Sequence, residues 1–251
     1  MVAKSSYEPG TPSWIDLGSP DPRASASFYG ALFGWDVVAG PPEAGGYRMA
    51  LLRGAAVAGI SPQFAPGPAA WTTYVSVADA DATAAKAIEH GGVPTMVPFD
   101  VLRVGRMAVL RDPVGTSFAI WQPREHPGSA FVNEPGALCW NELITPDVAS
   151  AMAFYGPLFG WTRSSMPMGD GEYDVLMLGE RAVGGIVRGD GPPWWQVSFA
   201  VADCDATVAA AVTLGGSVDE PAEDLPDVGR FAVLADPHGA RFGVLASEWA
   251  G

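Results

Sequence analysis

Apolar and polar positions follow a strand and helix order that restarts several times along the chain. The segment Trp14–Leu17, apolar except for Asp16, predicts a first strand. Asp21 then predicts a helix N-cap with Pro22 at the first helical position, and Gly34 predicts the end of that helix. Between these signals, apolar residues recur at helical spacing and form one stripe: Ala24, Phe28 and Leu32.

Strands punctuated by glycine and a second helix follow the first helix. That second helix is predicted from about Asp79 to His90, where Gly91 and Gly92 end it. Strands are predicted near Trp35–Ala39, Tyr47–Leu52, Val57–Ile60, Thr72–Val77, Arg106–Leu110 and Ser117–Trp121. The first half is βαβββ; the second half has two predicted strands after its helix and is assigned the same βαβββ order because the two halves are similar.

The entire pattern occurs twice in the chain. FYGALFGW at Phe28–Trp35 returns 126 positions later (154 − 28) as FYGPLFGW at Phe154–Trp161. In the second half of each copy the shift is 124 (236 − 112), so that DPVG at Asp112–Gly115 returns as DPHG at Asp236–Gly239. Such a repeat predicts two similar domains, over residues 11–123 and 137–248. Residues 124–136 carry no periodic pattern and are predicted to be a linker.

Three ordered motifs, each present twice, connect this chain to a known family. They are the FYGxLFGW helix end, the VAD start of the second helix at Val77 and Val201, and the DPxG turn before the last strand. In these motifs the chain resembles the vicinal oxygen chelate superfamily, which includes glyoxalase I, extradiol dioxygenases and bleomycin-resistance proteins. The resemblance runs from Trp14 to Ala246. It implies an α+β fold of four βαβββ modules in two tandem glyoxalase and bleomycin-resistance-type domains.

In such proteins a curved, barrel-like mixed sheet closes around a cavity, and metal-using members place two His and one Glu ligand on cavity strands. Transferred by the motifs, those positions hold Trp14, Thr73 and Ala119 in the first copy, and Trp140, Val197 and Gly243 in the second. A slip of two residues brings in one carboxylate per copy, Asp16 or Glu142. His90, His126 and His238 do not lie on cavity strands. We therefore expect no metal and no cofactor.

Alternation along each strand nominates the residues that face the cavity. The expected ligand-binding residues are aromatic with one threonine: Trp14, Trp71, Thr73, Trp121, Trp140, Trp195 and Phe199. Aromatic walls suit a flat apolar ligand. The alternative is that these side chains only fill a core.

Asp16 and Glu142 are the candidate catalytic residues, because an inward carboxylate is costly to bury unless it is hydrogen-bonded, paired or functional. Each has the chemistry of a ligand anchor or general base; the structural alternative is loop capping or pairing with Arg106 or Arg230. Those two arginines are candidate ligand-binding forks. Their alternative is a salt bridge to Asp112 or Asp236.

The charge composition argues against two classes of binding partner. A formal charge of −14, from 14 basic and 28 acidic residues, argues against nucleic acid and anionic membrane surfaces. The N-terminal segment lacks the apolar stretch of a signal peptide, so a cytoplasmic protein is expected. Cys139 and Cys204 have no motif spacing and are expected to be unreactive thiols.

Three functions remain open from the sequence. The first is metal-independent binding of a hydrophobic, aromatic small molecule, in drug sequestration, antibiotic biosynthesis or self-resistance. The second is a glyoxalase, lyase or hydroxylase-type enzyme on a small carbonyl or polyketide substrate that uses Asp16 or Glu142. The third is a scaffold with a filled cavity. Either a monomer or a homodimer fits the tandem repeat.

Overall fold

Two eight-stranded sheets, one for each copy, form the protein in a computed structural model that describes residues 4–63, 67–168 and 171–247. In the first copy the sheet order is β2-β3-β4-β1-β5-β8-β7-β6. Its strands are β1 (Pro12–Ser19), β2 (Asp36–Ala39), β3 (Arg48–Leu52), β4 (Ala55–Pro62), β5 (Ala70–Ser76), β6 (Val93–Val101), β7 (Gly105–Arg111) and β8 (Ser117–Pro123). Its helices are α1 (Pro22–Phe33) and α2 (Ala80–Glu89).

The second copy repeats this arrangement, with sheet order β10-β11-β12-β9-β13-β16-β15-β14. Its strands are β9 (Leu138–Thr145), β10 (Trp161–Met168), β11 (Gly171–Leu178), β12 (Arg181–Arg188), β13 (Trp194–Ala200), β14 (Ser217–Leu225), β15 (Gly229–Ala235) and β16 (Arg241–Ser247). Its helices are α3 (Val148–Phe159) and α4 (Cys204–Thr213). The predicted α+β fold of four βαβββ modules in two tandem domains is confirmed.

Each sheet is curved but open, with β2 and β6 at the edges of the first sheet. The closed barrel that the family resemblance implied is therefore wrong in this detail. Parallel pairing of β1 with β4 and of β5 with β8 closes each βαβββ half, and antiparallel pairing of β1 with β5 joins the halves. The result is a trough with a concave and a convex face.

The helix boundaries follow the predicted local signals. Asp21 Oδ1 accepts hydrogen bonds from the Arg23 and Ala24 amides, and Gly34 ends α1 with a φ of 71°. Asp147 caps α3 in the same way, and Gly160 ends it with a φ of 78°. Glycine is favoured at these two ends because a left-handed backbone carries no Cβ penalty there.

The two sheets pack with their convex faces toward each other. Strands β5 and β13 are in contact, and α1 packs beside α4 while α2 packs beside α3. Each of the two large apolar cores therefore combines residues of both copies: Phe28, Tyr29 and Trp35 pack with Phe199 and Phe242. Trp35 therefore has a structural role in this core.

The pairing of β1 with β5 decides which side chains face the trough. Residues opposite each other on paired strands share one face, and Trp14 is opposite Tyr74 while Asp16 is opposite Thr72. Trp71 is opposite Leu17, and Thr73 is opposite Ile15. The predicted inward orientation of Trp71 and Thr73 is therefore wrong: alternation within one strand does not reveal its offset from the next.

The same one-residue offset occurs in the second copy. Trp195 is opposite Leu143, and after an irregularity in β13 Phe199 is opposite Leu138. Both aromatic residues lie in the convex cores, so the inward orientation predicted for them is also wrong. Thr73 is buried between the copies, where its Oγ1 donates to Asn141 Oδ1 at 2.8 Å. Trp71, Thr73, Trp195 and Phe199 thus hold the copies together.

Candidate ligand site

The concave faces bring together five of the predicted site residues. Trp14, Asp16 and Trp121 lie on the first copy's face, and Trp140 and Glu142 lie on the second. In the middle strand of the second face, Gln196 is opposite Glu142 and Ser198 is opposite Trp140.

A tyrosine hydroxyl links the tryptophan and the carboxylate of the second copy. Trp140 Nε1 donates to the Tyr173 hydroxyl at 2.8 Å, and the Tyr173 hydroxyl donates to Glu142 Oε1. Tyr173 can lie across β12 only because position 185 is glycine: a Cβ there would be 1.8 Å from the Tyr173 hydroxyl oxygen. The three side chains form a fixed polar group on the concave face of the second copy.

The first copy has a related arrangement divided between two tyrosines. Trp14 Nε1 donates to the Tyr47 hydroxyl at 3.1 Å, and the Tyr74 hydroxyl donates to Asp16 Oδ2 at 3.0 Å. Gly59 again leaves room for the tyrosine, since a Cβ there would be 1.8 Å from the Tyr47 hydroxyl oxygen. Each carboxylate therefore has a phenol donor.

Both carboxyl groups are shifted toward the protonated form. Burial raises the pKa of Asp16 to about 6, although the hydrogen bond from Tyr74 lowers it in part. Burial also raises the pKa of Glu142, opposed by the Tyr173 hydrogen bond and assisted by the negative charge of Glu220. Carboxyl groups with a raised pKa are suited to proton transfer near neutral pH.

The concave face of the first copy is covered by its own side chains. Trp14, Tyr74, Met107 and Trp121 form a buried cluster, and Phe99 packs against it. The linker adds a ring: His126 lies edge-on to Trp14, with ring centroids 4.4 Å apart, and its backbone carbonyl accepts a hydrogen bond from Trp121 Nε1. Burial lowers the pKa of His126 to about 4, so this ring is neutral at physiological pH.

The second concave face carries different residues at the corresponding positions. Leu245 replaces Trp121 (121 + 124), and Leu245, Trp140 and Phe231 are only half-buried. Phe231 lies over Gly243 and beside Ser198, because a Cβ at position 243 would be 2.7 Å from the Phe231 ring and 2.3 Å from Ser198 Oγ. This face therefore presents accessible aromatic surface beside Glu142.

Arg106 and Arg230, predicted as ligand-binding forks, lie on the convex side. Arg106 donates from Nε and Nη2 to both carboxylate oxygens of Asp81 in the first turn of α2, at 2.7 and 2.8 Å. Arg230 binds Asp205 of α4 in the same bidentate manner. The alternative of a salt bridge was right in kind, but its predicted partners Asp112 and Asp236 were wrong. The Oδ1 atoms of these two aspartates accept hydrogen bonds from backbone amides of their own turns instead.

The donor set on either concave face does not fit the divalent metal ion of the metal-using proteins that the motifs resemble. Within residues 4–63, 67–168 and 171–247, no group of three or more His, Cys, Asp or Glu side chains is arranged to hold a metal ion. The middle strands present Thr72 and Gln196 to the trough instead of an imidazole. Asp16 and Glu142 are each engaged by a tyrosine hydroxyl.

Three tyrosines of the site were missed by reasoning from the sequence: Tyr47, Tyr74 and Tyr173. A signal existed for two of them, since Tyr173 follows Tyr47 by the same 126 positions (173 − 47) that relate the helix motifs. Tyr74 has no such counterpart, because Ser198 stands at its position in the second copy.

An open groove of about 590 Å³ lies at the start of α3, away from both carboxylates. Its lining includes Arg163, Asp174 and Arg188.

No helix in the described part of the chain has the length and apolar character needed to cross a membrane.

The chain is similar to known proteins over nearly its whole length. The putative glyoxylase CFP32 of Mycobacterium tuberculosis is 44% identical over 259 aligned residues, which cover 98% of each chain. The anthracycline biosynthesis protein DnrV of Streptomyces peucetius is 41% identical over 95% of this chain and 94% of the relative.

Solved structures show the same fold at low sequence identity. The 2,3-dioxygenase LapB from Pseudomonas sp. KL28 superimposes with a TM-score of 0.68 at 14% identity, over 94% of this chain and 92% of the other. The Mn(II)-bound glyoxalase from Novosphingobium aromaticivorans gives a TM-score of 0.67 at 15% identity, over 97% and 86%. The glyoxalase-like domain family matches residues 14–121 and 138–245, and the chain therefore belongs to this family.

Proposed function

We propose that the protein binds a planar, aromatic small molecule on the concave face of its second copy, without a metal ion. The observation that carries the proposal is the linked group Trp140, Tyr173 and Glu142 on a face that is still accessible. An aromatic ring stacked on an indole gains about 0.5 to 1.5 kcal/mol beyond its burial. The carboxyl group then orients the ligand through a hydroxyl or amine.

The asymmetry between the copies supports this choice of face. In the first copy, Trp121 and His126 occupy the surface of Trp14 that a ligand would need. In the second, the corresponding surface of Trp140 is half-exposed. The trough of the first copy is thus filled by its own side chains, whereas Trp140, Phe231 and Leu245 of the second copy stay partly exposed.

Two relatives with known roles support a proposal for the biological process in which the protein acts. DnrV and DauV are anthracycline biosynthesis proteins of Streptomyces, and each is 41% identical to this chain. We infer an accessory role in antibiotic biosynthesis or self-resistance, in which the protein holds or sequesters an aromatic compound.

Quenching of tryptophan fluorescence tests the proposal. (Hydroxymethyl)anthraquinone, an uncharged planar probe, is titrated into protein dialysed against EDTA. Saturable quenching at micromolar concentration with one site per chain is expected. Trp140→Ala should weaken the affinity at least tenfold, whereas the matched Trp14→Phe should leave it unchanged.

Free N-acetyltryptophanamide controls for collisional quenching. Circular dichroism establishes that Trp140→Ala retains the fold. Quenching that does not saturate, that requires an added divalent ion, or that disappears with Trp14→Phe instead would overturn the proposal.

A second candidate function rests on the raised pKa values. A carboxyl group with a raised pKa beside a phenol is a suitable general base, so Glu142 or Asp16 has the chemistry to remove a proton next to a carbonyl group. The substrate would be a small carbonyl compound or a polyketide, in a glyoxalase, lyase or hydroxylase-type reaction. Glu142→Gln should then abolish turnover while binding persists. Turnover that survives both Glu142→Gln and Asp16→Asn would exclude both carboxylates from the mechanism.

A further inference from the structure

We propose that the second concave face selects aromatic compounds that carry a protonated amine. This inference rests on the proposed function and adds the charge of the ligand. It comes from edge strand β14, whose side chains form one wall of the trough.

The register of β14 directs Glu223 toward the site. Glu223 is opposite Phe231 on β15, and Phe231 lies beside Ser198, which is in turn opposite Trp140. Opposite residues in paired strands share a face. Glu223 therefore lies on the trough side of its strand, and in the described part of the chain no cation forms a salt bridge with it.

The corresponding wall of the first copy is apolar. Phe99 is opposite Met107 in the same register that places Glu223 opposite Phe231, and Phe99 packs into the filled trough. Glu220 likewise stands where the first copy has Met96 (220 − 124). The exchange of two apolar side chains for two carboxylates is confined to the copy whose trough is accessible.

Arg241, a cation of the protein itself, already binds at the β14 edge of the second trough in the way proposed for the ligand amine. Arg241 lies over the Trp194 ring at 4.6 Å and pairs with Asp219 and, at 3.7 Å, with Glu220. An aromatic face and carboxylates together are a favourable environment for a cation. The single positive charge of Arg241 does not neutralise the three carboxylates at this edge: Asp219, Glu220 and Glu223. Glu142 lies deeper in the same trough.

The consequence is selectivity by charge. A ligand amine placed between Trp140 and the β14 wall meets Glu220 and Glu223 without displacing Arg241 from Asp219. Because these carboxylates are exposed, the attraction is screened by salt over about 10 Å at 0.1 M. A preference on the order of fivefold to tenfold for a cation over a neutral analogue is expected at low ionic strength.

Three anthraquinones with one substituent at the same ring position test the inference. (Aminomethyl)anthraquinone is cationic, (hydroxymethyl)anthraquinone is neutral and anthraquinone carboxylate is anionic. Affinities are measured by tryptophan quenching at 20 and 300 mM salt, with the intact chain and the variant Glu220→Gln/Glu223→Gln. The matched control is Glu89→Gln, which removes an exposed acidic charge from the end of α2.

The expected order of affinity is cation, neutral, anion, with the cation preference lost at high salt and in the double variant but kept in the control. Equal binding of the cationic and neutral probes, or a preference that persists in the double variant, would overturn the inference while leaving the proposed function intact. Failure of all three probes to bind would overturn both.

Discussion

Tyr29 of the first copy donates a hydrogen bond to Asp236 of the second, at 3.3 Å between the hydroxyl and Oδ2. The same hydroxyl accepts from Trp71 Nε1 at 3.1 Å. By the repeat, Trp195 Nε1 donates to the Tyr155 hydroxyl, which lies beside Asp112 of the first copy. The FYG and DPxG motifs thus meet across the copies, and each copy completes the core of the other.

Removal of that hydroxyl should destabilise the whole chain. In Tyr29→Phe, Trp71 Nε1 and Asp236 Oδ2 lose their partner in a buried environment, at a cost of about 1 to 3 kcal/mol. Urea denaturation should show this loss in a single transition, since the cores span both copies. Tyr155→Phe serves as the symmetric comparison and should give a similar loss. Two separate transitions would contradict the shared core.

Asp16 should make stability depend on pH in a defined direction. Its pKa is about 6 in the folded protein, against 3.8 in the unfolded chain, so the folded state binds more protons between these values. Its contribution to stability therefore falls as pH rises from about 4 to about 6 and stays low above that. Asp16→Asn removes this pH-dependent loss of stability, because the amide does not ionise. The Tyr74 hydroxyl can still donate a hydrogen bond to the amide oxygen.

The variant should be more stable than the parent by about 1 to 2 kcal/mol at pH 7, after allowance for partial exposure, and equal at pH 3.5. Chemical denaturation at both pH values measures the difference. A variant less stable than its parent at pH 7 would show that the ionised Asp16 has compensating partners.

Tyr173→Phe should alter the site without disturbing the fold. It removes the hydrogen bond that lowers the pKa of Glu142 and the acceptor of Trp140 Nε1. We expect the pKa of Glu142 to rise further, which a carboxyl-carbon NMR titration detects, and the affinity for (hydroxymethyl)anthraquinone to fall severalfold. Tyr47→Phe is the matched control in the first copy. If both variants change the affinity equally, the assignment to the second copy is wrong.

His126→Ala should open the first trough. The imidazole covers Trp14, and its removal exposes an indole beside Asp16 in an arrangement resembling that of the second copy. Calorimetric titration with (hydroxymethyl)anthraquinone should change from one site to two, the new one weaker because Trp121 and Phe99 remain. A stoichiometry that stays at one would show that these side chains alone fill the trough.

The fold was predictable from the sequence because its signals are local and doubled. Asp21 and Gly34 mark a helix by backbone chemistry, and their repeats at Asp147 and Gly160 remove ambiguity. The site was harder to predict, since it depends on the offset between strands. Trp71 and Thr73 were assigned to the wrong face because a shift of one residue between β1 and β5 reverses every side chain.

Comparison of the two copies could have revealed more of the site. Tyr173 repeats Tyr47 at the shift of the helix motif, and the exchange of Phe99 for Glu223 marks the copy with the polar wall. The burial of His126 against Trp14 could not have been anticipated, because the linker carries no pattern that indicates where its side chains pack.

A crystal structure of the protein soaked with (hydroxymethyl)anthraquinone would locate the bound ligand. We predict that the tricyclic ring lies in the second trough, stacked between Trp140 and Phe231, with its hydroxyl bound to Glu142 and no metal ion in contact. A ligand found in the first trough, or chelated by an ion held by Glu142, would contradict it.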